Sequence, residues 1–148
     1  MKIEKSILIR APRSRVWRAI TDTREFSQWF GVEMAGAFKP GARLQMTTTH
    51  EEYKGIVFHV TVEQMEPEHT FSWRWHPGAV EPDLDYEKEP MTLVEFKLEE
   101  AHGGTMVRIV ESGFDQLSLE RRTKAYKDNS EGWDAQMKSL EQYVVRSA

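Results

Sequence analysis

The sequence predicts a single α+β domain in which a curved antiparallel sheet wraps around a long C-terminal helix. Two short segments between residues 12 and 31 carry apolar residues at helical spacing, and from residue 43 the apolar period changes to two. After residue 118 the helical period returns and persists almost to the end of the chain. Strands followed by one long helix are typical of an α+β fold. No internal repeat or linker is visible, so residues 1–148 are expected to form one domain.

The first elements are a strand and two short helices. Residues 3–9 alternate as a strand that ends before Pro12. Asp22 is the predicted N-cap of the second helix, and Gly31 is the glycine expected at its C-terminus. The apolar stripes of the two helices consist of Val16, Trp17 and Ile20 and of Phe26, Trp29 and Phe30.

Five strands are predicted between residues 43 and 111. The clearest alternation runs from Ile56 to Val62, and the aromatic residues of the next strand, Phe71, Trp73 and Trp75, project to one side. Residues 77–90 are rich in proline and acidic residues and predict a long solvated loop. In the last strand, the face of the sheet that carries apolar side chains ends at Glu111.

The last third of the chain predicts one long helix. Ser118 is a plausible N-cap, and residues 118–146 would span about 43 Å if helical throughout. A helix of that length can cross a whole sheet. Its apolar stripe comprises Tyr126, Trp133, Met137, Leu140 and Val144.

Composition and charge exclude several classes of function. The 148 residues include no cysteine, which excludes thiolate nucleophiles, disulfides and cysteine-ligated metals. The net charge is −4 without any block of Lys or Arg, so nucleic acid is not expected as a partner. The N-terminal apolar run, residues 7–9, is too short for a signal peptide or a membrane span, and a cytoplasmic location is expected.

Six short sequence phrases occur in order along the chain. They are Ala11-Pro12-x-x-x-Val16-Trp17 through Gln28-Trp29-Phe30, Tyr53-x-Gly55-x-Val57, Phe71-Ser72-Trp73, Gly104-Thr105-x-Val107, Glu111-Ser112-Gly113-Phe114 and Gly132-Trp133-x-x-x-Met137-x-x-Leu140-x-x-Tyr143. In this order the phrases resemble the START-like, helix-grip (SRPBCC) superfamily. Within it, the chain is similar to bacterial proteins that resemble the C-terminal domain of the activator of the heat-shock chaperone ATPase.

The resemblance covers essentially the whole chain and is specific for the fold rather than for a reaction. It implies a pocket between the curved sheet and the C-terminal helix, which the superfamily uses for hydrophobic molecules. The family has no shared catalytic motif, so the resemblance supplies no catalytic residue.

A candidate ligand-binding set follows if the inward faces of the sheet and the last helix enclose such a pocket. Apolar walls with a few polar groups are typical of small-molecule sites, although buried aromatic residues more often serve only as core. Methionine side chains can adapt to different ligands, but they also fill gaps. The set comprises Trp29, Met46, Phe58, Trp73, Trp75, Phe96, Ile109, Glu111, Trp133 and Met137.

Glu111 is the most informative polar residue of that set. It shares strand parity with Val107 and Ile109, so an inward face would point its carboxylate at the cavity. A buried carboxylate needs a cation or hydrogen-bond donors, and such a group could anchor a ligand or act as an acid or base. The alternative is that Glu111 lies at the strand end, hydrated or paired with an arginine.

Three functions remain open at this point. The leading hypothesis is the binding of a small, mainly hydrophobic molecule. The second is a cyclase- or hydrolase-like enzyme that uses Glu111 or His76 as a general base. The third, which only the resemblance suggests, is a co-chaperone-like partner of a chaperone ATPase. No cofactor or metal is expected, because no motif for one is present.

Overall fold

The structure, a computed structural model, describes residues 1–77 and 88–146. The strands are β1 (Lys2–Ile9), β2 (Val32–Met34), β3 (Arg43–Thr48), β4 (Val57–Glu66), β5 (Thr70–Trp75), β6 (Thr92–Ala101) and β7 (Gly104–Ser112). The α-helices are α1 (Arg13–Thr21), α2 (Thr23–Phe30) and α3 (Leu119–Arg146), and short 3-10 turns occur at Glu51–Tyr53 and Phe114–Gln116.

The strands form one antiparallel sheet in the order β1-β7-β6-β5-β4-β3-β2. The sheet curves around α3, and the two short helices follow the first strand, so the predicted α+β helix-grip fold is confirmed. Strand β2 was not predicted from the sequence. It has only three residues and begins one residue after Gly31 ends α2, so no alternation is long enough to detect.

The ends of α2 agree with the predicted capping. The Asp22 carboxylate accepts hydrogen bonds from the backbone N–H groups of Arg24 and Glu25 at 3.0 and 3.1 Å. Gly31 takes the left-handed conformation with φ 79° and ends the helix. These caps fix the direction in which α2 presents its apolar stripe to the concave face of the sheet.

Helix α3 has 28 residues and lies along the concave face. The backbone N–H of Arg121 donates to Ser118 Oγ at 3.3 Å, which supports the predicted N-cap. Tyr126 is only half-buried, and its hydroxyl donates to the Lys2 carbonyl at 3.2 Å. The buried stripe consists of Ala125, Trp133, Met137, Leu140 and Val144.

The predicted loop at residues 77–90 is described only at its two ends, because residues 78–87 lie outside the described residues. Arg121 of α3 binds both ends: its guanidinium donates to the Pro77 carbonyl at 2.7 Å and to the Glu89 carboxylate at 3.0 Å. Within the described part of the chain, no helix is both long and apolar enough to cross a lipid bilayer.

Candidate functional site

An aromatic cluster fills the centre of the space between the sheet and α3. Trp73 of β5 is fully buried in it and contacts the other members at ring-centroid distances from 5.4 Å for Phe96 to 6.3 Å for Trp133. These spacings are those of favourable aromatic pairs. The cluster is defined here as Phe26, Phe30, Phe71, Trp73, Trp75, Phe96 and Trp133.

The cluster forms because four elements, strands β5 and β6 and helices α2 and α3, present apolar faces to the same volume. Strand alternation places Trp73 and Trp75 on the concave face of β5, and helix α2 supplies Phe26 and Phe30, one turn apart and stacked at 4.6 Å. Helix α3 covers them with Trp133, whose ring lies 5.9 Å from that of Trp75. Several pairs meet edge to face, as for Phe26 and Trp73 at 86°.

Beside the aromatic cluster lies a buried carboxylate, Glu111 of β7, which has no solvent exposure. It accepts hydrogen bonds from Trp75 Nε1 at 2.9 Å and from Thr92 Oγ1 at 2.6 Å. It also accepts from Trp133 Nε1 at 2.8 Å and from Asn129 Nδ2, which lies 3.0 Å from both carboxylate oxygens. We call Glu111 with these donors the Glu111 node.

Sheet register and helical spacing explain why these groups meet. Trp75 is directly opposite Thr92 in the β5–β6 pair, and Val94, two residues after Thr92, is opposite Glu111 in the β6–β7 pair. The three polar side chains therefore share the concave face as cross-strand and diagonal neighbours. On α3, Asn129 and Trp133 are four residues apart and thus lie on one face of the helix.

The predicted inward orientation of Glu111 is confirmed, whereas the alternative of a hydrated or arginine-paired carboxylate is wrong. All its donors are neutral, and among the described residues no Lys, Arg or His lies within ion-pair distance of it. Sequence reasoning missed Thr92 and Asn129 as donors. Two signals could have identified them: Thr92 has the strand parity of Val94, and Asn129 precedes Trp133 by one helical turn.

A second carboxylate, Glu25 of α2, also contacts α3 but is paired with cations. It accepts from Arg15 at 2.8 Å and Arg18 at 2.7 Å, and Tyr143 of α3 donates its hydroxyl to Glu25 at 2.9 Å. Burial, followed by the hydrogen bond to Glu25, raises the pKa of Tyr143 above its usual value. We call this group the Glu25 node.

The structure places the predicted ligand-binding residues in or against one interior. Phe58 and Trp75 are half-buried, and Glu111 is the buried polar member. Phe26 and Phe30, which belong to the aromatic cluster, were predicted only as a helix stripe. The buried apolar members of the predicted set are Trp29, Met46, Trp73, Phe96, Ile109, Trp133 and Met137.

One edge of this interior is accessible to solvent. Trp75 is half-buried there and contacts the half-buried rings of Phe30 at 6.2 Å and Phe58 at 5.8 Å. Behind them lie the fully buried Trp73 and the almost fully buried Trp133. These half-buried rings, Phe30, Phe58 and Trp75, are called the aromatic rim.

Two other features lie outside this interior. A surface depression of about 400 Å³ is formed by the β1–α1 connection around Arg10 and the β6–β7 turn around Gly103, and no predicted ligand residue lines it. His76 follows β5 and is half-buried, but it is not a donor to Glu111. Among residues 1–77 and 88–146, no group of three His, Asp or Glu side chains could hold a metal ion.

Solved structures share the fold over nearly the full length of the chain. Protein MLL2253 from Mesorhizobium loti is 24% identical with a TM-score of 0.80, and the alignment covers 100% of this chain and 99% of that one. The Aha1 dimer from Colwellia psychrerythraea is 18% identical with a TM-score of 0.74, covering 97% and 96%. CalU16 from Micromonospora echinospora is 20% identical with a TM-score of 0.64, covering 97% and 74%.

No curated protein matches the sequence. The family model described as "Activator of Hsp90 ATPase homolog 1-like protein" matches residues 10–145, which is nearly the whole chain. This match and the shared fold confirm the resemblance to the START-like superfamily that the sequence phrases suggested. The chain therefore belongs to the family of Activator of Hsp90 ATPase homolog 1-like proteins.

Proposed function

We propose that the protein binds a small, mainly hydrophobic molecule between the sheet and α3. The observation that carries this proposal is the convergence of aromatic rings from α2, β5, β6 and α3 on one interior, with the aromatic rim at its solvent edge. Proteins with the helix-grip fold of this family commonly bind hydrophobic ligands between the sheet and the C-terminal helix. A ligand would reach Trp73 and Trp133 by displacing rings of the aromatic rim, since the rings are in mutual contact without it.

The ligand residues proposed are the set predicted from the sequence, together with Phe30. Apolar walls and a small number of fixed polar groups are what such sites use for affinity and orientation. The partner is thus a small molecule rather than a nucleic acid, and a cytoplasmic location stays a prediction.

The first experiment looks for a bound molecule. The purified protein is extracted with organic solvent and the extract is analysed by mass spectrometry, and lipids and aromatic metabolites are screened by thermal unfolding. A ligand that binds only the folded state at a hundredfold excess over Kd should stabilise it by about 2.7 kcal/mol. An empty extract and a screen without a stabilising compound would contradict the proposal.

Matched variants on β4 locate the binding site of any ligand found. Phe58→Ala removes a ring of the aromatic rim and should weaken binding, because Phe58 is half-buried against Trp75. Val57→Ala, at the neighbouring and exposed position, should leave affinity unchanged. Equal affinity in both variants would place the ligand elsewhere.

The other functions have less support. A general base needs a free lone pair near its substrate, and both oxygens of Glu111 already accept hydrogen bonds. Turnover of a bound ligand that Glu111→Gln or His76→Gln abolishes would favour the enzyme. Regulation of a chaperone ATPase also stays a prediction, and recovery of that chaperone with the purified chain would support it.

A further inference from the structure

One polar group of the aromatic cluster has no hydrogen-bond partner among the described residues. Within residues 1–77 and 88–146, Trp73 Nε1 is buried and no side chain or backbone group accepts its hydrogen. Other buried or half-buried indoles of this interior are paired: Trp29 Nε1 donates to the Ala19 carbonyl, and those of Trp75 and Trp133 donate to Glu111. A buried donor without an acceptor is unfavourable, since it has lost its hydrogen bond to water.

The surroundings of Trp73 explain why the protein does not satisfy this donor. Its ring is enclosed by phenylalanine rings from α2, β5 and β6 and by the indoles of Trp75 and Trp133. Rings of this kind offer no strong acceptor, because an indole nitrogen is a donor only. Since none of the described residues supplies an acceptor here, a molecule that enters the cluster could supply one.

The Glu111 node restricts the charge of that molecule. Trp75 and Trp133 each bind Glu111 through Nε1, while their rings lie 5.5 and 6.3 Å from the ring of Trp73. Among the described residues the donors to the Glu111 carboxylate are all neutral, and two of them are the indoles whose rings contact Trp73. In a low-dielectric interior, a second negative charge placed beside these rings would be repelled.

We infer that Trp73 Nε1 is the donor that receives the ligand's hydrogen-bond acceptor, and that the site selects neutral molecules with a carbonyl or ether oxygen. This inference rests on the proposed function and narrows its ligand class. Anionic lipids such as free fatty acids are disfavoured, as are hydrocarbons without an acceptor.

Binding of three probes tests both parts of the inference. The first two, 2-acetylnaphthalene and 2-isopropenylnaphthalene, have the same shape and differ only in a carbonyl oxygen replaced by a methylene group. The third, 2-naphthoate, carries the negative charge. The ketone should bind about fivefold more tightly than the alkene, and the carboxylate should bind at least about tenfold more weakly than the ketone.

Matched Trp→Phe variants assign the preference to one indole. In Trp73→Phe the ketone should lose its advantage, and the more apolar alkene should bind at least as tightly. Trp17→Phe makes the same change at an indole that is not a member of the cluster, although its ring lies 6.4 Å from that of Phe71. In this variant the preference for the ketone should remain. Thermal unfolding of both variants establishes that they are folded before affinities are compared.

Nitrogen-15 NMR of the unmodified protein gives a readout that does not depend on a variant's stability. The indole signal missing from Trp73→Phe belongs to Trp73. In the free protein its proton should lack the downfield shift of a hydrogen bond, and addition of the ketone, but not the alkene, should produce that shift.

Several results would overturn the inference. The first is a hydrogen-bonded Trp73 indole proton in the free protein, for example through an internal water. The second is equal affinity for the ketone and the alkene. The third is a preference for the ketone that is unchanged in Trp73→Phe. If the probes fail while the broader screen yields an acceptor-free ligand, the inference fails alone. If the probes and the screen both fail, the proposed function fails with it.

Discussion

The carboxylates of Glu25 and Glu111 both bind side chains of helix α3, but they differ in whether their hydrogen-bond donors are charged or neutral. Glu25 is partly buried, with a side-chain exposure of 17%, and is bound by two arginines and by Tyr143. Glu111 is fully buried, and among residues 1–77 and 88–146 its donors are all neutral. The Glu25 node therefore holds the helix with compensated charge, whereas the Glu111 node leaves a negative charge beside the aromatic cluster.

The two nodes therefore differ in role: the Glu25 node holds helix α3 in place, whereas the Glu111 node also affects which ligands can bind. Water and salt screen the exposed Arg18 of the Glu25 node, and the charge of Glu25 stays paired with Arg15. A buried carboxylate loses its hydration and depends on each donor around it. Loss of hydrogen bonds should therefore be costly at Glu111 and mild at Glu25.

The largest expected effect is that of Glu111→Gln. The amide keeps one acceptor oxygen but presents an NH₂ group to side chains that are themselves donors, so the free energy of unfolding should fall by about 3 kcal/mol. Glu25→Gln should cost about 1 kcal/mol. Urea unfolding followed by circular dichroism measures both, and equal losses would remove the distinction between the two nodes.

A pair of identical substitutions compares a bonded indole with an unbonded one. Trp133→Phe loses a charge-assisted hydrogen bond, while Trp73→Phe loses none, and both rings are buried. Trp133→Phe should therefore be less stable than Trp73→Phe by about 2 kcal/mol in the same urea experiment. If Trp73→Phe proved the less stable variant, Trp73 Nε1 would have an acceptor after all.

Two buried threonines give a finer comparison of charged and neutral acceptors. Thr92 donates to the Glu111 carboxylate at 2.6 Å, and Thr105 donates to the Ala11 carbonyl at 2.8 Å. Thr92→Val should cost about 2 kcal/mol and Thr105→Val about 1 kcal/mol, because charge-assisted bonds are roughly twice as strong. The reverse order would show that the Glu111 carboxylate does not gain from this hydroxyl.

The smallest effect concerns the pH dependence of the Glu25 node. Burial and the hydrogen bond to Glu25 raise the pKa of Tyr143, so the folded state keeps the phenol proton longer than the unfolded chain does. This contribution is complete below about pH 10 and is lost as the pH rises through the raised pKa. The temperature of thermal unfolding should fall more steeply from neutral to alkaline pH for the wild type than for Tyr143→Phe. Parallel curves would contradict a raised pKa of Tyr143 in the folded state.

The sequence predicted the fold, the residue at the centre of the Glu111 node, and Trp75 and Trp133 as residues of the same pocket. It did not predict that Thr92 and Asn129 would join them as donors. The parity of Val107, Ile109 and Glu111 is local, so one strand suffices to place the carboxylate inward. Its donors come from other elements, and which of their side chains reach Glu111 depends on strand register and on where α3 crosses the sheet. Neither quantity is encoded in any local pattern.

The same limit applies to the unpaired donor. That Trp73 faces inward follows from its alternation with Ser72 and Arg74. That its nitrogen is buried without an acceptor among the described residues depends on the packing of α2 and α3, which a pattern of apolar residues does not specify. The sequence therefore predicts which residues line the site better than it predicts which of their polar groups are hydrogen-bonded.

Strand β1 pairs with β7 so that Ile3 lies opposite Glu111, roughly a hundred residues later in the chain. During synthesis on the ribosome, β1 emerges long before β7 has been made, so its isoleucines have no strand to pair with. Pairings so distant along a chain slow folding, and unpaired strand edges invite aggregation. Newly made chains should therefore expose the apolar residues of β1 until β7 and α3 have been translated.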